Sequence, residues 1–247
     1  MRHPCPNKAR RPRARGLTSW ILFLALTPCP QLAAGEPEAP QTVIDRIQRE
    51  CLRAYPPEML AEMASGSEDI PAPVDDDPEA QMQFLDKEIP RDKGLFYPSL
   101  LDELTPAFEA YLGPDVDFLD LGSGDGRVVF LAAVLGARAT GIEYDEELVE
   151  VSERALAALE DVVDGDRVEI VQGDFFEVSW SDYDVIFYFD LSSFLQERVR
   201  EKLRAELAPD AALLVGHEQA PFPGLELTGK YPDGRHPIVK VYRQPQG

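Results

Sequence analysis

The sequence predicts an α/β fold: a doubly wound, mostly parallel seven-strand sheet that closes with an antiparallel hairpin, preceded by a short helical N-terminal segment. Three observations carry this. From Leu100 onward, apolar strand-like runs alternate with stretches of helical periodicity, joined by short connections. One such run, Val116 to Leu121, ends in the glycines of GSGDG, a turn that opens a helix. After the fifth strand the alternation stops, and two short strand-like runs flank the turn PDGR.

The elements follow in order. Val43, Ile44, Ile47, Cys51 and Leu52 have helical spacing, and Pro56-Pro57 separates that helix from a second short one through PPEMLAEM. Residues 65–81, SGSEDIPAPVDDDPEAQ, are rich in Ser, Pro and acid and read as a linker or exposed loop. A helix from about Ser99 to Leu112 leads into the first strand, Val116 to Leu121, and a helix follows from about Gly126 to Leu135. ARATGIEY is the second strand. DEELVEVSERALAALEDV is an amphipathic helix whose acidic first turn suits the helix dipole. RVEIVQGD and YDVIFYFDL give the third and fourth strands, SFLQERVREKLRAEL a helix, and AALLVGH the fifth strand. HEQAPFPGL, at 217–225, is too short and Pro-rich for a helix and reads as a loop over the site. LELTGKY and HPIVKVYR supply the sixth and the antiparallel seventh strand.

The chain has 247 residues, 44% of them hydrophobic, which suits one large domain with an appendage. Its 24 Lys+Arg and 45 Asp+Glu give a net charge of -21, which disfavours nucleic acid and anionic lipid and favours a cationic partner. Residues 1–35 have a basic start, an apolar stretch from Leu17 to Leu26, then small residues, the layout of a secretory signal. That stretch is shorter than the ~20 residues of a membrane span, so no permanent span is expected in the mature chain. The expected organisation is a leader over 1–35, a helical segment with an acidic linker over 36–95, and a ligand-binding domain over 96–247. A genuine leader implies export, and a misassigned start implies a cytoplasmic protein. Cys51 stands alone outside the leader, and His217 and His236 have no partner at ligand spacing, so neither a disulfide framework nor a metal site is expected.

The loop FLDLGSGDGR narrows the ligand. A strand, a glycine turn and a helix N-terminus aim backbone N–H groups at a bound group. The dinucleotide fingerprint needs a sixth-position glycine, and counting from Gly122 that position is Arg127, so a nicotinamide or flavin is disfavoured. No Gly-Lys-Ser/Thr follows, which excludes a nucleotide-triphosphate loop of the Walker type. What remains is D-x-G-x-G-x-G: Asp120, Gly122, Gly124 and Gly126. In this the chain resembles motif I of the class I S-adenosylmethionine-dependent methyltransferases, and the likeness runs from about Tyr97 to Arg243.

Glu143, at the tip of the second strand, is placed to accept from both ribose hydroxyls. The resemblance assigns Asp174, after the third strand, to the adenine amino group and Phe175 to the ring; taken alone they read as a helix cap and a core residue. GLFYPSLLDEL, DLGSGDGR and GARATGIEYDEELVEVS are similar to segments of the small seven-strand protein-lysine methyltransferases, which implies that Tyr97 closes over the methionine end of the cofactor. After the fourth strand YFDLSSF replaces the Asn/Asp-Pro-Pro-Tyr of amide and adenine N-methyltransferases. Asp190, its one charged group, either orients or deprotonates an amine or caps the helix near Ser193. The expected function is an S-adenosylmethionine-dependent methyltransferase acting on a protein lysine or other amine; the alternatives are an exported or inactive cofactor-binding module and an aminopropyl transferase.

Overall fold

A computed structural model describes residues 40–60, 89–91, 94–96, 98–189, 193–218, 220–232 and 238–245. The leader, the Pro-rich stretch, Tyr97 and Asp190 lie outside the described residues.

Helix α1 (Pro40–Arg53) is followed by the short ribbon of β1 (Ile89–Arg91) and β2 (Gly94–Phe96) and then by the sheet domain. Its elements are α2 (Leu101–Tyr111), β3 (Asp117–Leu121), α3 (Arg127–Val134), β4 (Arg138–Glu143), α4 (Glu146–Ala158), β5 (Val168–Gln172), β6 (Val185–Phe189), α5 (Ser193–Glu206), β7 (Ala212–Gly216), β8 (Glu226–Tyr231) and β9 (Val239–Arg243). Each strand and helix expected from Leu100 onward is present. The ribbon is new: it occupies the end of what reads as linker, and strands of three residues are too short to display an alternation.

The sheet order is β5-β4-β3-β6-β7-β9-β8. Strands β3 to β7 pair in parallel, and β9 runs antiparallel between β7 and β8. The order turns back at β3, which pairs with both β4 and β6, and the crevice at such a reversal is where open α/β sheets bind ligands.

Alternation along the strands builds two cores. Phe118, Val185, Phe187 and Leu214 face helices α1 to α4, whereas Leu119, Ile186, Leu213 and Val215 face α5. Between β5 and β6 a helix is replaced by a short 3-10 turn and by Trp180, which is fully buried and donates from Nε1 to the Phe175 carbonyl at 2.9 Å. After β7 the chain forms a tethered loop, as its prolines demand. Arg200 donates to the carbonyls of Ala220 and Pro221, and Glu218 takes Lys240 Nζ at 3.0 Å and the Tyr242 hydroxyl.

Helix α1 lies in the same compact unit as the sheet, Glu38–Gly247, and packs on α2, α3 and α4. Arg46 forms a two-pronged ion pair with Asp161, and Arg154 donates to the Ala54 carbonyl at 2.9 Å. Among the described residues no helix is long and apolar enough to cross a membrane.

Candidate active site at the strand tips

The C-terminal tips of β3, β4 and β5 are tied together through the backbone. Gly122 and Ser123 donate to the Ile142 carbonyl, at 2.9 and 3.1 Å, and Gly173 donates to the Glu143 carbonyl at 2.8 Å. The loop after β3 therefore folds back over β4 rather than standing free. Gly122, Gly124 and Gly126 all have positive φ, 84°, 56° and 80°, which only glycine adopts without strain. Gly126 has a second reason to be glycine. A Cβ there would stand 2.7 Å from Phe130 Cζ and 3.0 Å from Ser152 Cβ, so α3 and α4 approach closely at this point. The close-packing glycine thus sits one position earlier than in the dinucleotide fingerprint.

Glu143 closes the loop from below. Its Oε2 accepts from the Gly124 N–H and its Oε1 from the Asp145 N–H, both at 2.8 Å. Each oxygen keeps a lone pair, so the carboxylate is fixed in direction yet still able to accept hydroxyl donors. Burial raises its pKa above the ordinary carboxylate range, against the pull of the backbone donors. Asp120 is more extreme. It is buried at the end of β3, no donor reaches it among the described residues, and burial, then the Glu143 and Asp125 charges, push its pKa well up. Two carboxylates held toward protonation beside open space form a site prepared for a cation.

That space is real on both sides of Glu143: a Cβ on Gly122 or on Gly173 would meet nothing within 4 Å. The strand tips therefore present two carboxylates and bare glycine backbone to the same open edge. Asp174 caps the turn Phe175–Glu177, its Oδ1 accepting from the Phe176 N–H at 2.8 Å. Phe175 is half-buried against Phe176, with ring centroids 4.5 Å apart, and packs on the α5-side core. Capping and packing are therefore what these two residues do in the protein alone, and the second Asp174 oxygen stays available. The structure brings Asp120, the glycines, Glu143, Asp174 and Phe175 to one edge, while Tyr97 and Asp190 lie outside the described residues. Among the described residues no His, Cys, Asp and Glu group could hold a metal ion.

One cluster escaped the sequence reading. Asp125 and Arg127, each 1% exposed, form a buried pair behind the loop, Nη2 to Oδ2 at 2.5 Å and Nε to Oδ1 at 2.9 Å. Tyr55 donates to Asp125 Oδ2 at 3.0 Å. Burial works against the Arg127 charge, but Asp125 outweighs it and keeps the guanidinium protonated. The signal was a D-x-R at the mouth of an otherwise apolar helix, RVVFLAAV, where a charge is retained only if paired.

Comparison with known proteins finds similarities centred on the sheet domain. The model of the ANTKMT methyltransferase domain matches residues 120–222, which begin at Asp120 and run past β7. That stretch is similar to a methyltransferase domain. A protein-lysine N-methyltransferase of Saccharolobus islandicus (strain REY15A) is 38% identical over 101 residues, 40% of this chain and 60% of that protein, so the match spans less than two thirds of the relative. Among solved structures, the E81Q mutant of MtNAS has a TM-score of 0.51 at 16% identity, covering 83% of this chain and 71% of that one, a likeness of fold. An RNA methyltransferase from Salinibacter ruber, solved with S-adenosyl-L-homocysteine, is 29% identical with a TM-score of 0.45, covering 60% of this chain and 92% of that one.

Proposed function

We propose that the protein transfers a methyl group from S-adenosylmethionine to a lysine amine of a protein. The observation that carries the reading is the cradle at the strand tips, where Glu143 is fixed by the Gly124 and Asp145 N–H groups beside the buried Asp120. The likeness to the Saccharolobus islandicus protein-lysine N-methyltransferase supports the acceptor class. In this reading Glu143 receives the ribose hydroxyls, Asp120 the cationic arm, the free oxygen of Asp174 the adenine amino group, and Phe175 one face of the ring. Tyr97 closes the methionine end, and Asp190 orients the amine. The bound cofactor supplies an electrophilic methyl group on a sulfonium. The protein's own share is positioning: it presents a neutral amine in line with that methyl, and such orientation supplies most of the acceleration in a direct displacement. A net charge of -21 favours encounter with a lysine-rich, cationic segment.

Calorimetry of the full chain with S-adenosylmethionine and S-adenosylhomocysteine tests the cofactor site, with saturable one-to-one binding expected. Tritium transfer into basic proteins of the source cell, before and after acetylation of their lysines, tests the acceptor. Label that survives lysine blocking overturns the lysine assignment, and an absence of binding overturns the whole reading.

A further inference from the structure

Helix α1 and the turn after it do more than cover the sheet. Residues 48–55 touch the head of α2 and the glycine loop of the cofactor cradle. The Gln48 side-chain oxygen accepts from the Leu101 N–H at 3.3 Å, at the head of α2. The Cys51 thiol donates to the Asp125 carbonyl at 3.8 Å, and the Tyr55 hydroxyl donates to the Asp125 carboxylate at 3.0 Å. Asp125 is the residue between Gly124, whose N–H holds Glu143, and Gly126, the left-handed residue that opens α3.

We infer that Tyr55 is a positioning residue for the cofactor: its hydroxyl locks Asp125, Asp125 fixes the glycine loop, and the loop aims Glu143 through the Gly124 N–H. The relay is short and continuous. Tyr55 is the outer link, Asp125 the hub, and Glu143 the group that meets the ligand. The hub needs an outside donor because glycines have little preference of their own and leave the loop under-determined. Burial, then the Asp125 charge, hold the Tyr55 phenol well above its ordinary pKa, so it remains a donor at every physiological pH. Arg127 cannot replace it, since that guanidinium already spans both Asp125 oxygens from the helix side. The inference rests on the cofactor-binding reading given above.

The test is calorimetry of the full chain with S-adenosylhomocysteine, carried out well below the melting temperature. Tyr55→Phe keeps the ring and removes the hydroxyl, and it is expected to weaken binding roughly three- to thirtyfold. Asp125→Asn should weaken it more, since it also disturbs the Arg127 pair, and Tyr55→Phe added to Asp125→Asn should cost little further, because Tyr55 acts on the loop through Asp125. Ile44→Ala, in the same helix but in the main core, should lower the melting temperature and leave affinity unchanged. If Tyr55→Phe binds within twofold of wild type, or if Ile44→Ala weakens binding equally, the positioning role is wrong and the segment is only structural. If wild type itself does not bind, the cofactor-binding reading fails instead.

Discussion

Asp120 shows how a single side chain can serve binding at the expense of stability. Its pKa is raised in the folded protein, so its carboxylate opposes folding above its unfolded pKa, and the penalty grows until pH passes the raised value. Asp120→Asn removes that penalty. The variant is expected to melt higher than wild type at pH 7, with a smaller gain at pH 5, and to bind S-adenosylmethionine at least about tenfold more weakly. Thermal melts at the two pH values and one titration decide it. Glu143 differs because both its oxygens hold backbone donors, so Glu143→Gln sets an amide NH2 against an N–H and disturbs the loop as well as the charge. Arg127→Met is the severe case. It leaves Asp125 charged and buried without its main partner, which costs about 3–5 kcal/mol, measurable by urea unfolding.

At the scale of elements, the glycine turn joins a strand and two helices, and its spacing has a mechanical side. Gly126→Ala combines a left-handed backbone with a contact of 2.7 Å to Phe130, and about 2–4 kcal/mol of stability should be lost. Gly141→Ala acts from the neighbouring strand: its Cβ would lie 2.6 Å from Ser123 Cβ, pressing on the loop from beneath. It should weaken cofactor binding more than it lowers the melting temperature, by calorimetry and melting on one preparation. The elements themselves were legible in the sequence. Strand and helix periodicity, the prolines at 221 and 223 and the PDGR turn are local signals, and they reproduce the strands and helices from Leu100 to Arg243. Of the candidate site, the placement of Glu143 at a strand tip was legible, because it follows from the strand's length alone. The site was opaque where a role depends on distant contacts. Tyr55 and Asp125 are 70 residues apart, and no periodicity joins them. The ribbon of β1 and β2 was missed for want of length.

For the molecule as a whole, the balance of charge links cofactor binding to protons. In the protein alone Asp120 and Glu143 are both held toward their neutral forms, and a cationic ligand draws both pKa values down. Binding must then release protons, beginning just above the ordinary carboxylate range of about 4. Calorimetry at pH 5.5 in two buffers of different ionisation enthalpy should show net release for S-adenosylmethionine, more than for S-adenosylhomocysteine. Equal proton uptake by both ligands would refute the account. The buried acid at the end of β3 has one further outcome, which concerns turnover. Methyl transfer converts a sulfonium into an uncharged thioether, so the donor loses one of its two positive charges on reaction and keeps the ammonium assigned to Asp120. The spent cofactor therefore keeps its hold through the ammonium and the ribose and gives up only the sulfonium's share of the attraction, a share that the ratio of the two ligands' affinities measures.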